Sequence, residues 1–171
     1  MGRRRPAVKL RYPAGVPTLI SALLAAAALH VVPLSDAPSL PHLAGEGKPV
    51  VLHFWATWCT ACRDEFPRIR EALTSMPGRN VGVLLVSIDR PALLDRVRQD
   101  LRRFKMESLP AVVLDAPQPD PVIQAIGDPA WDGTLPSTFV FDATGRRVHS
   151  FIGRTDAAAL QAAVSAATVH K

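Results

Sequence analysis

The chain of 171 residues contains only two cysteines, which limits what the pair can do. Cys59 and Cys62 lie too close together to staple distant segments of a small secreted protein, so their role must be local chemistry. A c-type haem site is excluded because Arg63, and not histidine, follows the second cysteine. Structural zinc requires four ligands, and the available histidines are scattered. Zinc and an inert structural pair remain as alternatives.

Acidic residues are also missing from the start of the chain, where none precedes Asp36. The net charge of +5 comes entirely from basic residues near the N-terminus, namely Arg3, Arg4, Arg5, Lys9 and Arg11. From Asp36 onward acidic and basic residues balance, so the folded part presents no basic surplus for phosphate groups. No nucleic-acid partner is expected. With 48% apolar and 20% charged residues, the remainder forms one ordinary globular domain.

The basic N-terminus leads into a single long apolar run at residues 16–32. This run is at the short limit for a helix that crosses a bilayer. Small residues at 25–28 would equally suit cleavage of an exported signal. Residues 1–35 are therefore interpreted as a signal peptide or a membrane anchor helix, with both alternatives open. Either one places the rest of the chain outside the cytoplasm, in the periplasm or an equivalent space, where disulfides persist.

The pattern of apolar residues predicts an α/β fold after this leader. Residues 36–46 are predicted to form an extended, proline-rich tether to a domain at 47–171. Buried strands are predicted at 50–56, 81–88 and 111–114, and a hairpin at 138–152. Apolar residues at helical spacing predict a helix from 62 to 76. Asp89 is expected to cap a helix at 91–104, and Thr155 is expected to cap a helix ending near 167. Residues 116–121 are expected to form a loop, and 122–126 a helical turn or an edge strand. This order predicts a central mixed sheet flanked by helices.

The two cysteines stand where a buried strand meets a helix. Cys59 is placed at the helix N-terminus, where unpaired N–H groups and the helix dipole favour a thiolate. Cys62 follows one turn later on the buried stripe. This asymmetry predicts that Cys59 attacks a target disulfide and that Cys62 resolves the mixed disulfide, or that the reverse reaction oxidises a dithiol.

Residues 47–67, from Gly47 through the sequence Trp58-Cys59-Thr60-Ala61-Cys62 to Pro67, resemble the active-site region of TlpA/ResA-type thioredoxin-fold thiol:disulfide oxidoreductases. The resemblance continues through residues 83–89, 111–115 and 134–139. It implies a thioredoxin-like fold and a protein that is exported and often membrane-anchored. It also implies an oxidoreductase acting more as a reductase of protein disulfides, with cytochrome c maturation as the best-known task. A membrane thiol-electron transporter would supply electrons, and no bound cofactor is expected.

The same resemblance assigns roles around the cysteines. Pro136 is implied to be cis, and Leu135 is implied to offer backbone hydrogen bonds to an extended substrate. Glu65 resembles the active-site carboxylate of the family, and the alternative is a first-turn acid favoured by the helix dipole. His53 replaces the Asn or Asp expected on the central strand. It either accepts a proton from Cys62 or is a neutral core histidine bonded to a backbone carbonyl.

Three tryptophans and a soft-metal alternative complete the sequence-based predictions. Trp58, next to Cys59, is expected to shield the disulfide and contact substrate, whereas Trp55 is expected in the core. Trp131 either lines the rim of the substrate groove or covers a hydrophobic edge. The alternative function is a copper(I)-binding module or metallochaperone that uses both thiolates. The absence of a nearby additional Cys or Met ligand argues against it.

Overall fold

The computed structural model describes residues 29–116 and 119–169. Its centre is one six-stranded sheet with the strand order β1-β4-β3-β2-β5-β6. The strands are β1 (His30–Pro33), β2 (Val50–Trp55), β3 (Gly82–Ser87), β4 (Ala111–Asp115), β5 (Ser137–Phe141) and β6 (Arg147–Ile152). Residues 1–28 lie outside the described part, so the predicted signal or anchor helix falls there almost entirely.

The first four strands of this order pair in parallel, and the last two are joined to the sheet by antiparallel pairing. β1, β4, β3 and β2 pair in parallel, while β5 pairs antiparallel with β2 and β6 antiparallel with β5. The β5–β6 hairpin turns at 142–146. The predicted mixed sheet and hairpin are therefore confirmed.

Helices cover both faces of the sheet. They are α1 (Leu40–Ala44), α2 (Thr60–Ser75), α3 (Leu94–Arg103), α4 (Pro119–Ile126) and α5 (Ala157–Val169), with short 3-10 turns at Leu34–Ser39, Pro77–Arg79 and Pro91–Leu93. One core joins α2, α3 and α5 to the sheet, and a second core lies under α1 and α4. Within residues 29–116 and 119–169, no helix combines the length and apolarity needed to cross a bilayer.

Strand β2 is buried along its whole length because both of its faces meet a core. Val51 and Trp55 pack into the core under α2, and Leu52 and Phe54 pack into the opposite one. This two-sided burial explains why every residue of the strand except His53 is apolar. His53 alternates in phase with Val51 and Trp55, so its side chain lies on the α2 face.

The structure differs from the prediction at residues 36–46, which do not form an extended tether. β1 adds to the sheet beside β4, a 3-10 turn and α1 follow, and the side chains of Ala37 and Leu40 are fully buried. Proline does not prevent this arrangement, because Pro41 occupies the first turn of α1, where no intrahelical N–H is required. The folded domain therefore includes β1 and the residues up to 46 as well as the predicted region from residue 47.

Two further details also differ from the prediction. Asp89 does not cap the following helix, which starts as a 3-10 turn without a side-chain cap. The segment expected as a loop at 116–121 already contains the start of α4 at Pro119, and proline is well suited to a first helical turn.

Candidate active site

The Cys59–Cys62 pair lies where the sequence places it, at the junction of β2 and α2, and it forms a disulfide. Cys59 is the N-cap of α2, with extended backbone, and its sulfur accepts the Cys62 N–H at 3.1 Å. Cys59 is 7% exposed, whereas Cys62 is fully buried. The predicted asymmetry in burial is confirmed. Only the first sulfur is within reach of another molecule.

The turn that leads from β2 to Cys59 is held by a buried carboxylate from the end of β3. Asp89 accepts the Thr57 N–H at 2.8 Å and the Thr57 hydroxyl at 2.7 Å. It also accepts the Ser87 hydroxyl at 2.7 Å. Asp89 therefore fixes the backbone just before the disulfide, a function that its sequence position, typical of a helix cap, did not reveal.

His53 lies on the buried side of the disulfide helix and is fully inaccessible. Its Nδ1 is 2.9 Å from the Thr138 hydroxyl, which faces it across the β2–β5 pair. Its Nε2 is 3.8 Å from Glu65 Oε2. Burial lowers the pKa of His53 to about 3, so the ring is neutral. A neutral core histidine was one of the two alternatives. Its partner is a side-chain hydroxyl, however, and not the expected backbone carbonyl.

Glu65 is 1% exposed and lies beyond the first turn of α2, so the interpretation as a first-turn acid favoured by the helix dipole is wrong. Its Oε1 accepts the Thr155 N–H. Burial raises the pKa of Glu65 to about 7, while the Thr155 N–H and the Arg154 charge act in the opposite direction. A carboxyl group with this pKa can both take up and release a proton near neutrality.

The loop before α5 completes the surroundings of Glu65. Asp156, and not Thr155, caps α5, because its side chain accepts the N–H groups of Ala158 and Ala159 at 2.9 and 3.0 Å. Thr155 does not cap the helix, and its backbone N–H donates to Glu65 instead. Arg154 pairs with Asp64 at 3.0 Å on the surface and so connects this loop to α2.

Leu135 and Pro136 precede β5, and the peptide bond between them is cis, as the resemblance implied. The loop is held at the Thr134 carbonyl, which accepts the Trp131 indole N–H at 2.9 Å and the Ser137 hydroxyl at 2.7 Å. This support was not visible in the sequence, because it joins residues from a loop and a strand end.

The three tryptophans separate clearly by exposure. Trp55 is fully buried, as predicted, and Trp58 is 63% exposed. Trp131 is 3% exposed and packs against Phe54 and Phe139, with ring centroids 5.1 Å apart in both pairs. Of the two alternatives for Trp131, the structure supports the cover over a hydrophobic core. In the part of the chain that the structure describes, no three His, Cys, Asp or Glu side chains are grouped to hold a metal ion.

Comparison with known proteins identifies a family whose model matches the chain and related proteins of known name. The model of the AhpC/TSA family matches residues 32–149. The thiol-disulfide oxidoreductase ResA of Geobacillus thermodenitrificans is 34% identical over 115 residues, which cover 66% of this chain and 60% of that protein. ResA of Geobacillus kaustophilus is 34% identical over 99 residues, covering 58% and 51%. The chain thus spans between about half and three fifths of the length of these curated relatives.

Solved structures show the same fold. A thiol:disulfide interchange protein of the thioredoxin family from Chlorobium tepidum TLS is 26% identical, with a TM-score of 0.56 over 71% of this chain and 81% of that one. A DsbF homologue from Corynebacterium diphtheriae is 22% identical, with a TM-score of 0.59 over 71% and 73%. The predicted thioredoxin-like α/β fold is confirmed.

Proposed function

This chain belongs to the AhpC/TSA family, and from that premise we propose that it is a thiol:disulfide oxidoreductase that exchanges its Cys59–Cys62 pair with thiols or disulfides of other proteins. The observation that carries the proposal is the unequal placement of the two sulfurs. One caps a helix at the surface, and the other lies buried one turn below it. The helix N-terminus favours a thiolate at Cys59 once the disulfide is reduced.

The reaction follows from this placement. In the reduced protein, the Cys59 thiolate attacks one sulfur of a substrate disulfide, whose S–S bond breaks as a mixed disulfide forms. The released substrate thiolate takes up a proton. Cys62 then loses its thiol proton and attacks the Cys59 sulfur, which expels the second substrate thiolate. The substrate gains two electrons and two protons, and the protein is left with the Cys59–Cys62 disulfide.

The proton lost by Cys62 needs an acceptor in a buried place. Glu65 is one turn further along α2 and has a pKa near neutrality, so it is proposed to take this proton and return it. His53 is proposed to act in the same step through its contact with Glu65. Both side chains were predicted as site residues from the sequence.

Substrate contact is proposed at Trp58 and at the loop with the cis peptide bond. The large exposed ring of Trp58 adjoins the attacking sulfur and offers an apolar surface to a protein chain. The backbone of Leu135 is proposed to hydrogen-bond an extended substrate segment, in the manner of an added strand.

The direction and the location are proposals that rest on resemblance. We favour reduction of selected protein disulfides outside the cytoplasm, for example in cytochrome c maturation, with electrons from a membrane thiol-electron transporter. The basic and then apolar leader supports export with either an inner-membrane anchor or a cleaved signal.

The test is trapping of partners in the intact cell envelope. The Cys62→Ser variant should accumulate covalent partners through Cys59 that a reductant releases, because the resolving sulfur is missing. The Cys59→Ser variant is the matched control and should trap none. Partners found only with Cys59→Ser would contradict the assigned roles. Stoichiometric copper(I) binding without any disulfide exchange would favour the metallochaperone instead.

A further inference from the structure

Four buried polar side chains form a closed ring behind the disulfide. They are His53 from β2, Glu65 from α2, Thr138 from β5 and Thr155 from the loop before α5, and each is at most 6% exposed. Thr138 contacts His53 and Thr155 through its hydroxyl, the Thr155 backbone N–H donates to Glu65, and Glu65 lies 3.8 Å from His53. Buried polar groups in such a network constrain one another's hydrogen positions, because each donor needs an acceptor.

The hydrogen positions can be assigned from the Glu65 end of the ring. An ionised carboxylate only accepts hydrogen bonds, so the His53 nitrogen that faces Glu65 carries a proton. The Thr138 hydroxyl, 2.9 Å from His53 Nδ1, is then the donor to that nitrogen, and the Thr155 hydroxyl lies near both Thr138 Oγ1, at 3.3 Å, and Glu65. If Nδ1 accepts, a neutral imidazole carries its proton on the other nitrogen. That nitrogen, Nε2, faces Glu65 Oε2 at 3.8 Å, and within the described residues neither atom has another hydrogen-bond partner.

We propose that Thr138 is a positioning residue, which holds neutral His53 in the tautomer protonated on Nε2 and thereby aims an N–H at the Glu65 carboxylate. The donors then run in one direction, from Thr138 through His53 to Glu65. Glu65 receives a second N–H on its other oxygen, from the Thr155 backbone. A movement of about 1 Å brings the histidine and the carboxylate to hydrogen-bond distance.

This arrangement opposes the effect of burial on Glu65. Burial alone favours the protonated carboxyl group, whereas two N–H donors favour the carboxylate. The charged group that acts on Glu65 is Arg154, which pairs with Asp64 at the surface, and Cys59 and Cys62 on the same helix form a disulfide and do not titrate. Asp156 at the start of α5 is exposed and engaged as a helix cap. Thr138 therefore acts on Glu65 through His53 and adjusts the pH at which Glu65 exchanges its proton.

The consequence for catalysis rests on the proposed function, but the tautomer itself does not. It is measured on the full-length oxidised protein without substrate, by 15N NMR of the imidazole rings above pH 7, where Glu65 is ionised. The His53 signals are identified by their loss in the His53→Asn variant. We expect a protonated Nε2 and an unprotonated Nδ1. A proton on Nδ1 in the unmodified chain overturns the proposal.

Matched substitutions at Thr138 test the effect on Glu65. Thr138→Val removes the hydroxyl at nearly constant shape, so the pKa of Glu65, followed by the 13C shift of its carboxyl carbon, should rise by about half to one unit. Thr138→Ser keeps the hydroxyl and should retain the original titration. Equal titration curves for the valine variant and the unmodified protein would refute the role of Thr138.

The rate of disulfide exchange separates this proposal from the proposed function. In Thr138→Val, the rise of the rate with pH should move to higher pH by the same interval, and Thr138→Ser should restore it. If the chain exchanges no disulfides while the predicted tautomer is observed, the proposed function is wrong and the assignment of the histidine proton stands.

Discussion

Replacing Glu65 by glutamine should change how the stability of the protein depends on pH. The carboxyl group has its usual pKa of 4.5 in the unfolded chain and a pKa of about 7 when buried in the folded one. Between these values the unfolded chain releases the proton while the folded protein keeps it, so the native state loses stability as pH rises. Each unit of difference corresponds to about 1.4 kcal/mol, which gives about 3 kcal/mol in total.

Glutamine has nearly the same shape and cannot ionise. The free energy of unfolding of Glu65→Gln, measured with urea on the oxidised protein, should therefore gain about 3 kcal/mol relative to the unmodified protein between pH 4 and pH 8. His53 is present in both proteins, so its own titration largely cancels in the difference. A constant offset from altered hydrogen bonds would not affect the slope.

The matched control is Glu71→Gln, since Glu71 is exposed on the same helix. The difference in the free energy of unfolding between Glu71→Gln and the unmodified protein should stay nearly constant over this pH range. If the Glu65→Gln difference were equally flat, the carboxyl group would not be held protonated by its buried surroundings. The reasoning about Glu65 as a carrier of protons near neutral pH would then fail.

Four other substitutions test separate parts of the site. Asp89→Asn leaves the Thr57 N–H facing an amide, so the free energy of unfolding should fall by about 1–3 kcal/mol, and an unchanged urea midpoint would contradict this role. Trp55→Ala should cost about 3–5 kcal/mol, whereas Trp58→Ala should change stability by less than about 0.5 kcal/mol yet slow exchange with protein disulfides. Burial keeps His53 neutral, with a pKa of about 3, while the unfolded chain protonates it near 6.5, so stability should drop as pH falls through this interval. His53→Asn should remove that loss of stability in acid when measured in the same urea experiment. If the free energy of unfolding of this variant fell with pH as steeply as that of the unmodified protein, burial of a neutral His53 would not be the cause.

The parts of the fold that the sequence predicted are those with continuous local patterns. β2 is apolar at every buried position except His53, and α2 carries its apolar residues at helical spacing, so both could be recognised from short windows. β1 could not be recognised in this way. It is short, lies next to prolines, and is stabilised by pairing with β4, which is about 80 residues away.

The site residues also divide into those with a local sequence pattern and those whose role depends on contacts between distant segments. Cys59, Cys62 and Glu65 are close in sequence, and their spacing on one helix was informative. Thr138 and Thr155 were missed because a threonine in or near a strand is unremarkable by itself. Their importance arises from the register that sets Thr138 opposite His53, and from Asp156 taking over the helix cap. The buried pair Ser137 and Thr138, directly after Pro136, was the available signal, since polar side chains in a buried strand require partners.

The first strand also determines from which side the chain arrives. β1 runs parallel to β2, and the register through β4 and β3 sets His30 level with Phe54, near the end of β2 that leads to Cys59. Leu29 packs against the core that also contains Cys59 and Cys62. The chain therefore joins the sheet at the end that carries the disulfide, with two strands lying between β1 and β2. If the leader is held in a membrane, as proposed above, its attachment and the disulfide lie at the same end of the domain, which favours exchange with partners close to the bilayer surface.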